Sequence, residues 1–141
     1  MLNEEVRNIM SLDPTVVSPE DSIRDVSSKM AQEKLQQLPV VKDGKLVGLV
    51  TVYDLWKNSI TSEKDNVKVS EIMNQNVLVI APKDKVGTAA ELFIDRRFKT
   101  LPVVNLRNEL KGVITSFDVI KHVFKKEYPV PILYKEVLEA S

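Results

Sequence analysis

The chain consists largely of two copies of one sequence unit, and this internal repeat constrains its fold more strongly than any other feature. A shift of 63 positions superposes identical residues in the first part of the unit: Val6 on Val69, Ile9 on Ile72, Met10 on Met73, Val16 on Val79, Pro19 on Pro82, Asp21 on Asp84, and residues 38–41 on 101–104. After one inserted residue, a shift of 64 superposes the rest: Leu46 on Leu110, Gly48 on Gly112, Thr51 on Thr115, Asp54 on Asp118, and Lys57 on Lys121. Residues 6–57 and 69–121 are therefore two copies, and the fold must use the same unit twice.

The first half of each copy predicts a strand followed by a helix. Residues 15–17 are a β-branched run of the kind found in strands. Ser18 then supplies an N-cap, Pro19 takes the first helical position and Asp21 lies three residues after the cap, so we predict that a helix starts there. Apolar residues at helical spacing continue the helix in both copies: Ile23, Val26 and Met30, then Val86, Ala89, Ala90 and Phe93.

The second half of each copy predicts a hairpin and a second helix. Residues 38–41 and 46–52 read as two strands, and the Asp43-Gly44 pair between them is a strong signal for a tight turn. Residues 106–109 replace that turn in the second copy. Each copy therefore has the order strand, helix, strand, strand, helix.

A unit of this size cannot bury one apolar sheet face by itself, so the two copies should pack on each other. The predicted fold is α+β, with two β-α-β-β-α repeats related by a pseudo-two-fold axis and with sheets packed against helices. We expect one domain at residues 6–58, a second at residues 69–124, and a C-terminal extension at residues 125–141. A polar linker joins the domains. Two prolines in the extension favour an extended stretch before a short helix over residues 132–139.

The composition excludes several classes of protein. Twenty Lys and Arg residues balance twenty Asp and Glu residues, which removes the broad positive field on which non-specific nucleic-acid binding depends. No apolar run approaches the roughly 18 residues of a membrane span, and the first ten residues lack the apolar stretch of a secretory signal. The absence of Cys excludes disulfides and thiol chemistry. We expect a cytoplasmic protein that binds neither nucleic acid nor a membrane.

The sequence contains no arrangement typical of a catalytic site. Its four glycines form neither a G-x-G-x-x-G motif nor a P-loop, which disfavours dehydrogenase, kinase and NTPase activities. The single histidine, His122, has no Cys or second His with which to hold zinc, and we expect it at the surface. We therefore predict that the chain is not an enzyme and requires no metal or cofactor.

Both copies resemble the cystathionine-β-synthase (CBS) domain family. The resemblance lies in the Leu-Pro-Val-Val strand, the turn, and the segments of residues 46–55 and 110–119 that follow, and it covers all but the last sixteen or so residues. It implies a disc-like module with two clefts that bind adenosine-containing ligands, usually paired with a second module. The glycine that commonly precedes the second strand in this family is replaced by Lys34 and Arg97, which leaves the choice of ligand open.

The resemblance also indicates which residues would hold an adenosine-containing ligand. A carboxylate can accept both ribose hydroxyl protons, and Asp54 and Asp118 are the candidates. Thr51 and Thr115, with the exposed amides of the helix start, suit a phosphate. The strand residues that could line the base are Val16, Val17, Val79 and Ile80. The full set of candidate ligand-binding residues is Thr115, Asp118, Lys99, Thr100, Ser18, Val17, Thr51, Asp54, Gln36, Gln37, Ile80 and Ala81.

A purely structural role for the two aspartates is the alternative. Thr51-x-x-Asp54 and Thr115-x-x-Asp118 also have capping-box spacing, in which the Thr and the acid only secure a helix start. Spacing alone favours capping, whereas the family resemblance favours ligand binding, and both roles can coexist.

The two clefts should differ in charge. The second copy has Arg96, Arg97 and Lys99 before its Leu-Pro-Val-Val segment, where the first has Glu33, Lys34 and Gln36. By family analogy, we expect Lys99 and Thr100 beside the Asp118 cleft and Gln36 and Gln37 beside the Asp54 cleft, so phosphate should favour the Asp118 cleft. Arg96 is expected to face water and complement the helix dipole.

The predicted function is that of a regulatory module that binds AMP, ADP, ATP or S-adenosylmethionine. The alternative is a structural module that dimerises or docks on a partner with its clefts empty. Aromatic residues at Tyr53 and Trp56 are expected in the core or at an interface rather than against a base. We also expect a homodimer formed through the second helices, with contacts from Leu55, Trp56, Ile60, Val119, Val123 and Phe124.

Overall fold

The computed structural model describes residues 1–61, 67–96 and 99–127. The predicted extended stretch and helix of the C-terminal extension, most of the linker and Arg97 lie outside these residues. The side chain of Ile60, which was predicted at a dimer interface, is also outside the described part of the chain.

The two repeats have the same order of elements. Each begins with a single 3₁₀ turn, at Val6–Asn8 in repeat one and at Val69–Glu71 in repeat two. Repeat one continues with α1 (Ile23–Glu33), β1 (Gln37–Lys42), β2 (Lys45–Thr51) and α2 (Val52–Thr61). Repeat two continues with α3 (Val86–Arg96), β3 (Thr100–Val104), β4 (Leu110–Thr115) and α4 (Ser116–Glu127). The predicted α+β fold with pseudo-two-fold symmetry is confirmed.

Each repeat contains the predicted antiparallel hairpin. β1 pairs with β2 so that Gln37 lies opposite Thr51, and β3 pairs with β4 so that Thr100 lies opposite Thr115. The turn between β1 and β2 uses Asp43 at φ 53° and Gly44 at φ 79°. Two consecutive residues in the left-handed region are the requirement of the type I′ turn that the Asp-Gly pair predicted.

The first strand predicted in each repeat is reduced to a single bridge. Val17 pairs in parallel with Val40, and Ile80 pairs in parallel with Val103. The chain turns away immediately afterwards, at Pro19 in repeat one, and proline has no N–H to continue a ladder. The expected order of strands is kept, but the first strand of each repeat contributes a single bridged residue rather than several paired residues.

Helix α1 starts four residues later than predicted. Its N-cap is Ser22, whose hydroxyl accepts a hydrogen bond from the Asp25 amide at 3.1 Å, and not Ser18. The Ser18 amide instead donates to the Asp21 carboxylate at 2.8 Å within a turn. Both serines are followed three residues later by an aspartate, so local spacing does not distinguish them. The structure selects Ser22 because the Asp21 carbonyl is used elsewhere, as acceptor for the Val69 amide at 2.8 Å.

The bond from Val69 to Asp21 belongs to an exchange of leading segments between the repeats. The leading segment of repeat two donates from Val69 to repeat one, and that of repeat one donates from Val6 to the Asp84 carbonyl of repeat two at 2.8 Å. Both valines are fully buried. Val6 packs in the core formed by α3, α4 and the β3–β4 sheet, and Val69 packs in the core formed by α1, α2 and the β1–β2 sheet. Each core is therefore completed by a residue of the other repeat.

Two equivalent glycines allow the leading segments to approach the sheets. The Ser11 amide donates to the Val113 carbonyl at 2.8 Å and the Val113 amide donates back at 3.1 Å, while Asn74 and Leu49 exchange two bonds of 2.9 Å in the other half. A Cβ at Gly112 would lie 2.6 Å from the Ser11 carbonyl oxygen. A Cβ at Gly48 would lie 2.6 Å from the Met73 Sδ. Each glycine is therefore a point of close contact between repeats.

Alanine at these glycines should destabilise the fold to different extents. Gly112→Ala should lower the free energy of unfolding by about 1–3 kcal/mol, because its methyl group meets a backbone oxygen that cannot move without loss of the Ser11–Val113 pair. Gly48→Ala is the matched control and should cost less, because the nearest atom belongs to the flexible thioether of Met73. Urea unfolding of both variants measures the difference, and equal stability losses would contradict this account of Gly112.

Candidate functional site

The two candidate aspartates form reciprocal capping boxes at the starts of α2 and α4. The Thr51 amide donates to Asp54 Oδ2 at 3.0 Å, and the Asp54 amide donates to Thr51 Oγ1 at 3.1 Å. The equivalent bonds join Thr115 and Asp118 at 2.9 and 3.0 Å. The capping geometry that the spacing allowed is therefore present in both repeats. Because the amide bonds of both boxes are accepted by Oδ2, capping leaves Oδ1 of each carboxylate for another donor.

Asp118 also faces the leading segment of repeat one. The Ser11 hydroxyl lies 3.3 Å from Asp118 Oδ2 and 3.5 Å from Oδ1, so it can donate to the carboxylate. Ser11 was absent from the sequence-based candidates. A signal for it existed, since Ser11 and its equivalent Asn74 are polar residues directly after the matching Ile-Met pairs. The Asp118 carboxylate is thus contacted by both repeats.

A cavity of about 410 Å³ lies beside the start of α2. It is lined by both repeats: Gln36, Gln37, Thr51, Val52, Tyr53 and Lys99. The Lys99 ammonium donates to Gln36 Oε1 at 3.2 Å. Gln37 Oε1 is buried and has no hydrogen-bond partner among the described residues. The cavity therefore combines one cation, a helix N-terminus and an acceptor that lacks a donor.

The structure places the side chain of Lys99 in the opposite cleft from the predicted one. Its backbone carbonyl accepts a bond from the Ser116 amide at 3.1 Å, next to the start of α4, as expected. Its ammonium, however, reaches Gln36 and lines the cavity that contains Thr51. Gln36 and Lys99 are equivalent positions that face each other across the pseudo-two-fold axis, so each side chain extends toward the other repeat. Lys99 therefore gives no support to the prediction that phosphate favours the Asp118 cleft.

The residues predicted to line a base are only partly accessible. Val17 and Ile80 are buried in the two cores. Val16 is half-buried and Val79 is exposed, because successive residues of an extended segment point to opposite sides. Ser18 and Ala81 are half-buried, and the amides of both donate to an aspartate three residues later, at 2.8 Å. Of the predicted base-lining positions, Val16 and Val79 are therefore the two with accessible side chains.

Thr100 lines a second cavity, of about 290 Å³, and lies opposite Thr115 of the Asp118 capping box in the β3–β4 pair. The other residues that line this cavity are Leu49, Asn74, Asn76, Val77, Leu78, Arg96 and Leu101. Leu49 and Thr51 share one face of β2, and Thr100 follows Lys99 directly, so the two cavities are neighbours.

Other residues considered from the sequence have structural positions. His122 is half-buried at the surface, and its Nε2 lies 3.1 Å from the Met1 carbonyl oxygen. Within residues 1–61, 67–96 and 99–127, no three His, Asp or Glu side chains gather as a metal site. None of the helices in the described part of the chain is both long enough and apolar enough to cross a membrane.

An ion pair joins the two repeats away from the cavities. The Lys68 ammonium lies 2.8 Å from Glu20 Oε2, and this hydrogen bond lowers the pKa of Glu20 and raises the pKa of Lys68. Both side chains are more than half exposed, so solvent screens the interaction and its contribution to stability is small.

Solved structures with this arrangement are CBS domain pairs. CBSX2 from Arabidopsis thaliana matches with a TM-score of 0.80 at 26% identity, over 89% of this chain and 97% of that chain. The crystal structure of CBSX2 in complex with AMP matches with a TM-score of 0.78 at 28% identity, over 87% and 98% of the two chains. The CBS domain pair of protein MJ0100, in complex with 5′-methylthioadenosine and S-adenosyl-L-methionine, matches with a TM-score of 0.73 at 26% identity, over 88% and 98% of the two chains.

Curated relatives are longer than this chain. Protein MJ1225 of Methanocaldococcus jannaschii is 31% identical over 132 residues, which are 85% of this chain and 47% of that protein. The chain spans about half, or less, of the length of the curated relatives that it matches.

The sequence profile of the family described as CBS domain matches the chain twice, at residues 6–55 and at residues 69–125. The two matches cover both repeats, and the fold is that of known pairs. The chain therefore belongs to the CBS domain family, as a tandem pair of CBS domains.

Proposed function

We propose that this pair is a regulatory module that binds an adenosine-containing ligand, such as AMP, ADP, ATP or S-adenosylmethionine, in the clefts between its two domains. The observation that carries the proposal is the cavity beside the start of α2, where Lys99 of domain two lies with Thr51 and Gln37 of domain one. Ligand binding there would contact both domains at once. Occupancy would thereby change their relative position or their association with a partner, and no catalytic step is part of the proposal.

Each part of such a ligand has a matching group in this cleft. The Lys99 ammonium and the free amides at the start of α2 suit a phosphate. The Asp54 carboxylate, with Oδ1 outside the capping box, can accept from the ribose hydroxyls. Gln37 also lines the cavity and has a side-chain amide that can hydrogen-bond to a polar group of the ligand.

Asp118 and Thr115 form the equivalent groups of the other cleft, together with Ser11. A ribose there would take the position of the Ser11 hydroxyl at the Asp118 carboxylate. We propose that phosphorylated ligands prefer the Asp54 cleft, because the Lys99 ammonium lies in that cleft. The complexes of CBSX2 with AMP and of the MJ0100 pair with 5′-methylthioadenosine and S-adenosyl-L-methionine support the ligand class.

Ligand-dependent stabilisation tests the proposed function. At a concentration of 100 times its Kd, a ligand that binds only the folded state should stabilise the chain by about 2.7 kcal/mol. We expect at least one of AMP, ADP, ATP and S-adenosylmethionine to raise the melting temperature in a concentration-dependent way. Guanosine monophosphate is the matched control. If none of the four ligands shifts melting at millimolar concentration, the module binds another ligand class or none.

Conservative variants separate ligand binding from helix capping. Asp54→Asn keeps an oxygen that can accept the Thr51 amide but removes the charge. If Asp54 holds the ribose, the variant should weaken AMP binding by about 10- to 100-fold, the effect of losing about 1.5–3 kcal/mol of charge-assisted hydrogen bonding. Helix stability should fall by about 1 kcal/mol or less. Calorimetric titration measures the affinity and urea unfolding measures the stability.

Two further variants complete this test. Asp118→Asn should weaken AMP less than Asp54→Asn does, because Lys99 lies in the Asp54 cleft. Lys99→Ala should weaken AMP more than adenosine, whereas Lys83→Ala, which removes an exposed positive charge from a loop, should leave both affinities unchanged. Unchanged AMP affinity in both Asp variants would leave Asp54 and Asp118 as helix caps alone.

A surface on α2 and α4 favours a second function, self-association. Tyr53 and Trp56 of α2 are 63% and 59% exposed, and Phe117 and Ile120 of α4 are 59% and 64% exposed. The Tyr53 and Trp56 rings lie 6.1 Å apart at 36°. The exposure of Tyr53 and Trp56 excludes a position in the core of the domain pair. An exposed apolar surface of this kind is typical of an interface. Two of the predicted interface residues, Leu55 and Val119, are instead buried in the cores of their own domains.

We propose that the pair forms a homodimer through these helix faces. Light scattering at micromolar concentration should give about twice the chain mass of 16.0 kDa. Ile120→Lys should shift the mass toward the monomer, because a desolvated ammonium is costly in an interface. Ile94→Lys is the matched control, since Ile94 is also exposed but lies on α3. A monomeric wild-type chain, or equal effects of the two substitutions, would argue against this interface.

A further inference from the structure

The second cavity has an exposed cation at the C-terminal end of α3. Arg96 is the last residue of α3, is exposed, and lines the 290 Å³ cavity with Asn74, Asn76 and Thr100. Across residues 1–61, 67–96 and 99–127, no side chain pairs with its guanidinium. A guanidinium carries five N–H donors in a planar fork that matches a phosphate or a carboxylate. The cavity thus presents a cation, two amides and a hydroxyl above apolar residues.

The equivalent positions in domain one have the opposite chemistry. The repeat places Glu33 at the position of Arg96 and Thr15 at the position of Leu78. The Thr15 hydroxyl donates to Glu33 Oε1 at 3.0 Å, so these two side chains are hydrogen-bonded to each other. Leucine at position 78 cannot make such a bond. The Thr15–Glu33 bond therefore engages the Glu33 carboxylate in one half, whereas Arg96 has no such side-chain partner among the described residues of the other.

The charges of the two halves differ further at a second pair of equivalent positions. Asn76, beside Arg96, corresponds to Asp13 in domain one. The domain-one counterpart therefore carries two carboxylates, Asp13 and Glu33, where the Arg96 cavity carries one cation and a neutral amide. An anionic group is therefore attracted to the Arg96 cavity and repelled by its counterpart in domain one.

We infer that the Arg96 cavity is the single site in this chain for the anionic part of a ligand, and that each chain binds one phosphorylated nucleotide and not two. The inference rests on the proposed adenosine-ligand function and specifies which cleft takes the phosphate. Because the Arg96 cavity adjoins the cavity of Thr51 and Lys99, both basic residues serve one cleft. Glu33 excludes phosphate from the equivalent cleft.

Calorimetric titration with AMP tests the inference in the full chain. The wild type should bind one AMP per chain. Arg96→Gln should weaken AMP by about 10- to 100-fold, the loss of a charge-assisted hydrogen bond, and leave adenosine affinity unchanged. Arg96→Lys keeps the positive charge but lacks the planar fork, so its AMP affinity should lie between those of the wild type and Arg96→Gln. Far-ultraviolet circular dichroism and melting of each variant verify that it is folded.

An exchange of residues between the repeats provides the reciprocal test. The triple variant Asp13→Asn/Thr15→Leu/Glu33→Arg gives domain one the residues that domain two has at these three positions, and it should raise the stoichiometry from one AMP per chain to two. Two AMP per wild-type chain, or AMP affinity unaffected by Arg96→Gln, would overturn the inference and leave the proposed function intact. If the wild type binds S-adenosylmethionine but no AMP, ADP or ATP, the inference alone fails; if it binds none of the four ligands, the proposed function and the inference both fail.

Discussion

The fold depends on the backbone pairing between each leading segment and the sheet of the other repeat. Ser11 pairs with Val113, and Asn74 pairs with Leu49, in two equivalent sets of hydrogen bonds. These bonds satisfy backbone groups that would otherwise be buried without partners, and they bring Val6 and Val69 into the opposite cores. Neither two-stranded sheet with two helices would bury enough apolar surface by itself. The domain pair, rather than either domain, is therefore the folding unit.

The exchange also explains why the clefts are formed by residues far apart in the chain. Lys99 faces Gln36 because these two equivalent positions meet at the pseudo-two-fold axis, and Ser11 faces Asp118 because the leading segment of repeat one pairs with β4. A difference in polarity between two equivalent residues, such as Lys99 and Gln36, therefore changes the charge of the cleft beside the other domain. The capping boxes of Asp54 and Asp118 are local and almost identical, so the contrast between the clefts arises from these distant residues.

The sequence predicted the local elements well and the long-range contacts poorly. The repeat and the Asp43-Gly44 turn predicted both hairpins, because turn geometry and alternation are local properties. The start of α1 could not be predicted, because Ser18 and Ser22 have the same local pattern and the choice depends on the bond between Asp21 and Val69. The side chain of Lys99 was assigned to the wrong cleft because its position also depends on a distant residue, Gln36 of the other repeat. A sequence repeat reveals which residues are equivalent, but it does not reveal that the leading segment of each repeat packs against the other repeat.

The exchanged leading segments affect the order in which the chain can fold during synthesis on the ribosome. All the buried residues of the domain-one core have been made once Val69 is translated. Val6, by contrast, precedes its core partners Val103, Ile114 and Val119 by most of the length of the two repeats. The leading segment of repeat one must therefore wait, unpaired, until repeat two has been translated, and its closure is a long-range step in the assembly.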